Sequence, residues 1–283
     1  MIAIDLGSAY SSVAVPEEHT GRGFYTRDNF AGCSLILDHE LRWRIPSVVI
    51  RNPDGEITVG QPVRSQAGQP ADRILFAKRL LGERGNYALQ PEEAVRHILA
   101  HLKRIAEESL GEEAERAVIA VPASFSFNAV ASIRRAAEQA GLKVDRIIQE
   151  PVAATLAYSA RDARDPLCMM VYDLGGGSFE VGLVEKREGV LNLMAADGER
   201  LLGGCDFDRS LALWIAEKLK AQGYDLRLDP DEVPDSAMFA RLIACAERAK
   251  IRLSSSDRCV IVESAPGSRC VWNSRSCAKS SNR

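Results

Sequence analysis

Two segments of this chain share one layout: IDLGSAYSSVAV (Ile4 to Val15) and YDLGGGSFEVGLV (Tyr172 to Val184). Each is an apolar run ending in Asp, then a turn of small residues, then a second apolar run. A strand–turn–strand of this kind aims backbone N–H groups at one point and sets a carboxylate beside them. That arrangement suits a phosphate carrying a metal ion. One copy is only a common Asp-Leu-Gly turn. Two copies predict two related halves that grip one nucleoside polyphosphate from opposite sides.

The turns add detail. Gly175, Gly176 and Gly177 stand in a row between Asp173 and Ser178. A plain β-turn needs one glycine or two, so a run of three favours close approach of backbone to a phosphate. Ser8 and Ser178 offer hydroxyls at matching places. Asp5 and Asp173 are the candidate Mg²⁺ carboxylates, directly or through its waters; the plainer alternative is that each only caps its turn. No G-x-x-x-x-G-K-[ST] occurs, so a P-loop is excluded. Lys78, in LFAKRLLG, lies on a short predicted helix and by spacing alone reads as a solvated charge. Glu150, in IIQEPVAA, ends a buried strand just before a proline, an odd place for a surface acid. His97 and His101 are four apart but no third metal ligand accompanies them.

At 283 residues the chain can bury a sizeable core in one or two domains. A net charge of −3, from 36 basic and 39 acidic residues, gives no reason to expect nucleic acid or acidic membrane as a partner. No apolar run reaches the roughly 18 to 20 residues of a membrane span. The N-terminus opens directly on a strand pattern, without the basic and apolar regions of a signal peptide. Seven scattered cysteines, an odd number with no C-x-x-C pair, predict reduced thiols in a cytoplasmic protein.

Periodicity predicts strands at Met1 to Asp5 and Ser11 to Val15, and a hairpin at Ser47 to Val59 around Asn52-Pro53-Asp54-Gly55. Glu17 to Arg42 has no placeable pattern. A short helix is predicted at Ile74 to Leu81, and a long one from Pro91 to Gly111. Then come a strand at Ala117 to Val121, a helix at Asn128 to Ala140, a strand at Arg146 to Gln149 and a helix at Val152 to Tyr158. A three-strand meander follows over Met169 to Ala196. Helices at Asp206 to Gln222 and Ser236 to Ser254 precede a strand at Cys259 to Val262. This is α/β with mixed sheets and an internal duplication. Ser264 to Arg283, with six serines, four basic residues and no acid, is expected to be a disordered tail.

Taken together, the motifs resemble the nucleotide-binding domain of the seventy-kilodalton heat-shock (DnaK-type) chaperones. IAIDLGSAYSSVAV resembles the first phosphate loop and VYDLGGGSFEVGLV the second. RIPSVVIRNPDGEITVG and ILFAKRLLG resemble the upper part of the first lobe. AVIAVPASFSFNAVASIRRAAEQAGLKVDRIIQEPVAATLAYS resembles the connection between lobes, and LGGCDFD and CAERAKIRLSSS continue the match. The resemblance implies an actin-like ATPase fold: ribonuclease H-like duplicated lobes with mixed five-stranded sheets, the second lobe incomplete. The first lobe would span 1–160, with a small inserted subdomain at about 17–90, and the second 161–263.

By matched position, Asp5, Asp173 and Glu150 would organise Mg²⁺ and its waters. Lys78 would contact the γ-phosphate of ATP and place the attacking water, with Ser178 and Glu180 nearby. Gly7, Ser8, Ala9, Tyr10, Gly175, Gly176, Gly177, Gly203 and Gly204 would line the ATP or ADP, and Glu247, Lys250 and Ser254 would surround its nucleoside. Pro122 and Glu150 match an interlobe relay. The implied activity is Mg-dependent ATP hydrolysis in a protein-folding chaperone of the stress response. Implied partners are a J-domain co-chaperone and a nucleotide-exchange factor. No peptide-binding domain is recognisable.

Three departures from the family pattern stand out. Ile251 replaces an arginine that packs on adenine, a loss of roughly 0.5 to 2 kcal/mol. Ala9 removes a hydroxyl, and Cys205 replaces an acid. Ile251, Cys205 and the incomplete second lobe support a second hypothesis, a degenerate nucleotide-binding or partner-binding module without ATPase activity. A third, a sugar kinase or exopolyphosphatase of the same superfold, is disfavoured by LFAKRLLG and IIQEPVAA.

Overall fold

The computed structural model describes residues 1–16, 26–30, 32–60, 72–82, 85, 89–221, 237–262 and 269–273. These fall into two compact units: Met1–Pro62 with Ala71–Gly203, and Val63–Pro70 with Gly204–Arg283.

The first unit is built on a seven-stranded mixed sheet. Its strands are β1 (Ile2–Asp5), β2 (Tyr10–Pro16), β3 (Thr26–Phe30), β4 (Cys33–Ile36), β5 (Ile45–Pro46), β9 (Arg116–Val121) and β10 (Lys143–Gln149). The order is β10-β9-β1-β2-β4-β3, with β5 also on β2. β1 runs parallel to β9 and antiparallel to β2. Side chains alternate along β1 and into the residue after it: Ile2, Ile4 and Leu6 are buried, whereas Ala3 and Asp5 face the other way. Two helices cover the isoleucine side, α2 (Pro91–Leu110) and α3 (Phe127–Gln139). Val95, Ile98, Leu99, Leu102 and Ile105 of α2 recur at helical spacing and are buried there. Pro91 opens α2, and Gly111 closes it in the left-handed region at φ 71°. Ser126 caps α3 by accepting a hydrogen bond from the Ala129 amide. The carboxylate of Asp5 is thereby left on the open side of the sheet.

A smaller sheet joins β6 (Val48–Arg51), β7 (Ile57–Val59) and β8 (Asp72–Leu75) and leads into α1 (Ala77–Leu80). The meander comprises β11 (Leu167–Leu174), β12 (Phe179–Arg187) and β13 (Val190–Glu199), all antiparallel. On one of its faces lies α4 (Glu150–Ser159), whose Pro151 sits where a Cβ on Gly182 of β12 would fall, 2.4 Å away. Met170, Tyr172, Leu174 and Leu183 are exposed. The second unit packs α5 (Gly204–Ala221) on α6 (Ala237–Leu253) and the hairpin β14 (Arg258–Val262) with β15 (Arg269–Asn273). Its core holds Ile215, Leu219, Phe239, Leu242 and Ile261. Among the described residues, no helix is long and apolar enough to cross a membrane.

Four expectations need correction. The unpatterned stretch 17–42 supplies β3 and β4, which together with β5 bring the first sheet to seven strands rather than five. Ile74 and Leu75 are not helical: they pair with Val49 and Val48 in β8, because an adjacent strand offers their backbone a ladder. The meander belongs with the first unit, not with the two helices after it; α4 and the bonds of Glu180 described below tie it there. Arg269–Asn273, expected to be part of a disordered tail, pairs with β14. The other tail residues, 264–268 and 274–283, lie outside the described residues, as does the predicted helix start at Ser236.

Candidate functional site

Asp5 ends β1, in register with Ala120 of β9 and Ser12 of β2. The turn that follows is pinned by Ser47. Its amide donates to the Ala9 carbonyl at 2.9 Å, its hydroxyl donates to the Gly7 carbonyl at 2.8 Å, and that hydroxyl lies 2.8 Å from Ser11 Oγ. The second loop closes through the Gly175 amide, which donates to the Ser178 carbonyl at 2.9 Å. Both loops belong to the first unit, and they touch. A Cβ on Gly176 would lie 2.4 Å from Ala9 Cβ, and one on Gly177 would lie 2.7 Å from Ser8 Cβ. Two of the three glycines are therefore required by loop–loop packing. Gly175 is not crowded in this way. Gly203 packs against the same loop, its Cβ position 2.6 Å from the Gly177 amide nitrogen. Replacing Gly177 by valine is expected to destabilise the first unit by about 1–3 kcal/mol, seen as a lower denaturation midpoint.

Lys78 projects from α1 and is only 5% exposed. Phe76, which precedes α1, adopts φ 55° in the left-handed region, a strained conformation for a non-glycine residue. Lys78 Nζ donates to Glu150 Oε1 at 2.5 Å. Glu150 occupies the first turn of α4, not a strand end; the positive pole of the helix favours an acid there. The predicted residues Asp5, Lys78, Glu150 and Asp173 thus form one electrostatic group. Burial pushes the Glu150 carboxyl above its ordinary range, Lys78 only partly offsets this, and Asp5 and Asp173 push it further. Asp5 is raised by burial against the pull of Lys78 and Arg44. Asp173 is raised by burial, relieved in part by Lys78, and raised further by Asp5 and Glu180. Asp5 can be reached by water at the end of its strand, yet the surrounding chain strips its carboxylate of part of its solvation.

Three carboxylates that repel one another around one lysine fit a divalent cation. Among the described residues no three acids, histidines or cysteines converge tightly enough to cage a metal alone.

Glu180 is held by backbone amides. It is 3% exposed, and its two oxygens accept the amides of Ala123 and Ser124 at 3.0 and 2.8 Å. It anchors the turn after Pro122. Tyr10 begins β2 with its ring 4.8 Å from the Arg44 guanidinium. Sequence reading missed Ser47, Arg44, Phe125, Arg79 and Arg200. A serine beside a strand and single basic residues in turns or a one-turn helix carry no periodic signal, and only tertiary packing brings them to the loops.

The sequence model of the family described as "Hsp70 protein" matches residues 83–265. The chain belongs to the Hsp70 family. Its fold is accordingly the actin-like ATPase fold, and its phosphate-loop layout is that of a chaperone nucleotide-binding domain. Among its relatives, the chaperone protein DnaK of Mycoplasmopsis agalactiae is 34% identical over 93% of the chain and 42% of the relative. DnaK of Mycoplasmoides gallisepticum is 35% identical over 90% and 42%, and DnaK of Halobacterium salinarum 36% over 90% and 39%. The chain spans about two-fifths of the length of these curated relatives.

In the second unit of this Hsp70 chain, Glu247 and Lys250 lie on α6, and Ser254 follows its last residue. Lys250 Nζ donates to Asp208 Oδ2 at 2.8 Å and to the Gly204 carbonyl at 2.9 Å, so it is already engaged in joining α6 to the start of α5. Asp208 is buried, and its other carboxylate oxygen has no partner among the described residues. Burial raises its pKa, Lys250 lowers it and Glu247 raises it. Ser254 Oγ reaches the Lys250 carbonyl at 3.5 Å, and Ile251 is 56% exposed. Cys205 lies beside Asp206 at 3.5 Å. Replacing Lys250 by alanine strands a buried carboxylate. The expected loss is about 2 kcal/mol in the second unit, measurable by denaturant unfolding.

Proposed function

We propose that this Hsp70-family chain binds Mg-ATP and hydrolyses it to ADP and phosphate. The observation that carries this reading is the meeting of the two phosphate loops, Ser8-Ala9 against Gly176-Gly177, beside the Asp5, Glu150, Asp173 and Lys78 group. Asp5, Asp173 and Glu150 would hold Mg²⁺ through its waters, and bound Mg²⁺ supplies charge neutralisation at the phosphates. Gly7, Gly175 and their neighbours would offer amides to phosphate oxygens, with Ser8 and Ser178 adding hydroxyls. Lys78, held by Glu150, would meet the γ-phosphate and orient the attacking water. Catalysis of this kind is positioning and charge stabilisation, with little covalent work for the protein. In the whole protein we read this as the engine of a folding chaperone of the stress response, working in the cytoplasm with J-domain and nucleotide-exchange partners.

A second reading, nucleotide binding without turnover, draws on the engagement of Glu180 with the backbone and of Lys250 with Asp208. Phosphate release from Mg-ATP, with no sugar added, separates the two. The ATPase reading expects slow release that stops when Mg²⁺ is chelated. A folded chain that binds ATP without releasing phosphate would support the second reading instead.

A further inference from the structure

Arg200 follows β13 directly and is half-buried. Its Nη2 donates to the Arg79 carbonyl of α1 at 3.2 Å. Its guanidinium carbon lies 5.8 Å from the centroid of the Phe125 ring, and Lys78 Nζ lies 5.8 Å from the same centroid. Both cations thus contact one aromatic ring. The two border a small cavity with Arg79, Ser8, Ser124 and Ser178. Pro122 and Phe125 complete its wall.

The lining is chemically one-sided. It has three cations and three hydroxyls but no carboxylate. The acids Asp5, Glu150 and Asp173 are close enough to couple with Lys78, yet none of them faces the cavity. Carboxylates suit a cation; a chamber of Lys, Arg and Ser suits an oxyanion. A guanidinium also presents a planar fork of donors that matches two phosphate oxygens at once, which an ammonium cannot do. The chamber has a free volume of about 10 Å³, room for a single water. A phosphoryl group therefore fits only when a wall moves, and Arg200, on a long side chain outside any strand or helix, is a wall that can.

We propose that Arg200 is a second cation for the terminal phosphate of the bound nucleoside triphosphate, working beside Lys78 and making the chain discriminate triphosphate from diphosphate. This rests on the Mg-ATP reading above. Arg200 would swing from Phe125 onto the terminal phosphate, while Lys78 remains tied to Glu150. A diphosphate lacks that group and would leave Arg200 on the ring.

The test is calorimetric titration of the full chain with Mg-ATP and, separately, Mg-ADP, for the wild type, Arg200→Ala and Arg200→Lys. Circular dichroism and thermal melting establish that each variant is folded. Losing one charged bidentate contact is expected to weaken Mg-ATP binding about 10- to 100-fold, with Mg-ADP binding changed less than about twofold. Arg200→Lys should recover part of the preference for ATP. A merely structural role would shift both nucleotides together. If the wild type binds ATP and Arg200→Ala leaves the ATP-to-ADP ratio unchanged, this inference is wrong and the Mg-ATP reading stands. If the folded wild type binds neither nucleotide, both are wrong.

Discussion

Replacing Asp173 by asparagine is expected to stabilise the chain and, at the same time, to abolish its Mg-dependent hold on nucleotide. Asp173 and Glu180 are cross-strand partners in direct register on β11 and β12, so two acids face one another on one side of the meander. Like charges so placed destabilise a sheet by up to about 1 kcal/mol. Asp173 also feels Asp5, and burial raises its pKa. Asparagine keeps the shape and removes the charge. The expected gain is about 1 kcal/mol, or about 2–4 °C in Tm for a chain of this size. Calorimetric melting measures the gain, and titration with Mg-ATP measures the loss, expected to exceed about 10-fold because a ligand of the cation goes.

The pH dependence follows with a definite sign. Asp5, Glu150 and Asp173 all have folded pKa values above their ordinary ones. Between those two values the folded state binds more protons than the unfolded state. Stability from these groups is therefore greatest below the ordinary carboxylate range and falls as pH rises through the raised values. Asp38 and Asp162, lowered by Arg42 and Arg164, act in the opposite sense. The difference between wild type and Asp173→Asn isolates the one group. The variant should match the wild type in acid and exceed it at neutral pH. A variant no more stable at pH 7 than at pH 4, relative to wild type, would contradict this electrostatic account.

The second large effect is at Lys78. Its replacement by alanine is expected to lower phosphate release at least about 100-fold, the usual cost of removing a group that stabilises charge in the transition state. Mg-ATP binding should fall by less, because the backbone cradle and the carboxylates remain. Stability also changes. Lys78 is 5% exposed and Glu150 15%, so the substitution leaves a largely buried acid without its cation. Breaking a fully buried pair costs 3–5 kcal/mol. Here about 1–3 kcal/mol is expected, because the raised pKa of Glu150 lets it take up a proton instead. Adding Glu150→Gln should recover that stability without recovering turnover. Recovery of both would mean that Lys78 serves only to neutralise Glu150.

Much of this was legible because it is periodic or local. The two Asp-turn segments, the amphipathic α2 with Pro91 and Gly111 at its ends, and the meander each announce themselves within a dozen residues or so. What was hidden depends on distant neighbours. Ile74 and Leu75 carry apolar side chains compatible with either helix or strand, and only the presence of β6 decides between them. β4, inside the sheet between β2 and β3, does alternate in burial, but one of its buried positions is a serine, Ser34, so its sequence shows no apolar pattern. The triple glycine was read as a ligand cradle, whereas the structure shows that Gly176 and Gly177 are also needed by the opposing loop. The motif holding Glu180 gave no sign of its backbone partners, which lie more than fifty residues away. Arg200 had no signal at all in the sequence; it meets Lys78 only through the Phe125 ring and the cavity they share.

The central claim is that the two loops and their acids form one Mg-nucleotide site. Calorimetric titration of the folded wild-type chain with ATP, once with Mg²⁺ and once with a chelator, tests it most directly. Saturable binding that requires Mg²⁺ and is lost in Asp173→Asn is the predicted result. A chain that melts cooperatively yet gives no binding heat with Mg-ATP, or binds ATP equally well without Mg²⁺, would contradict it.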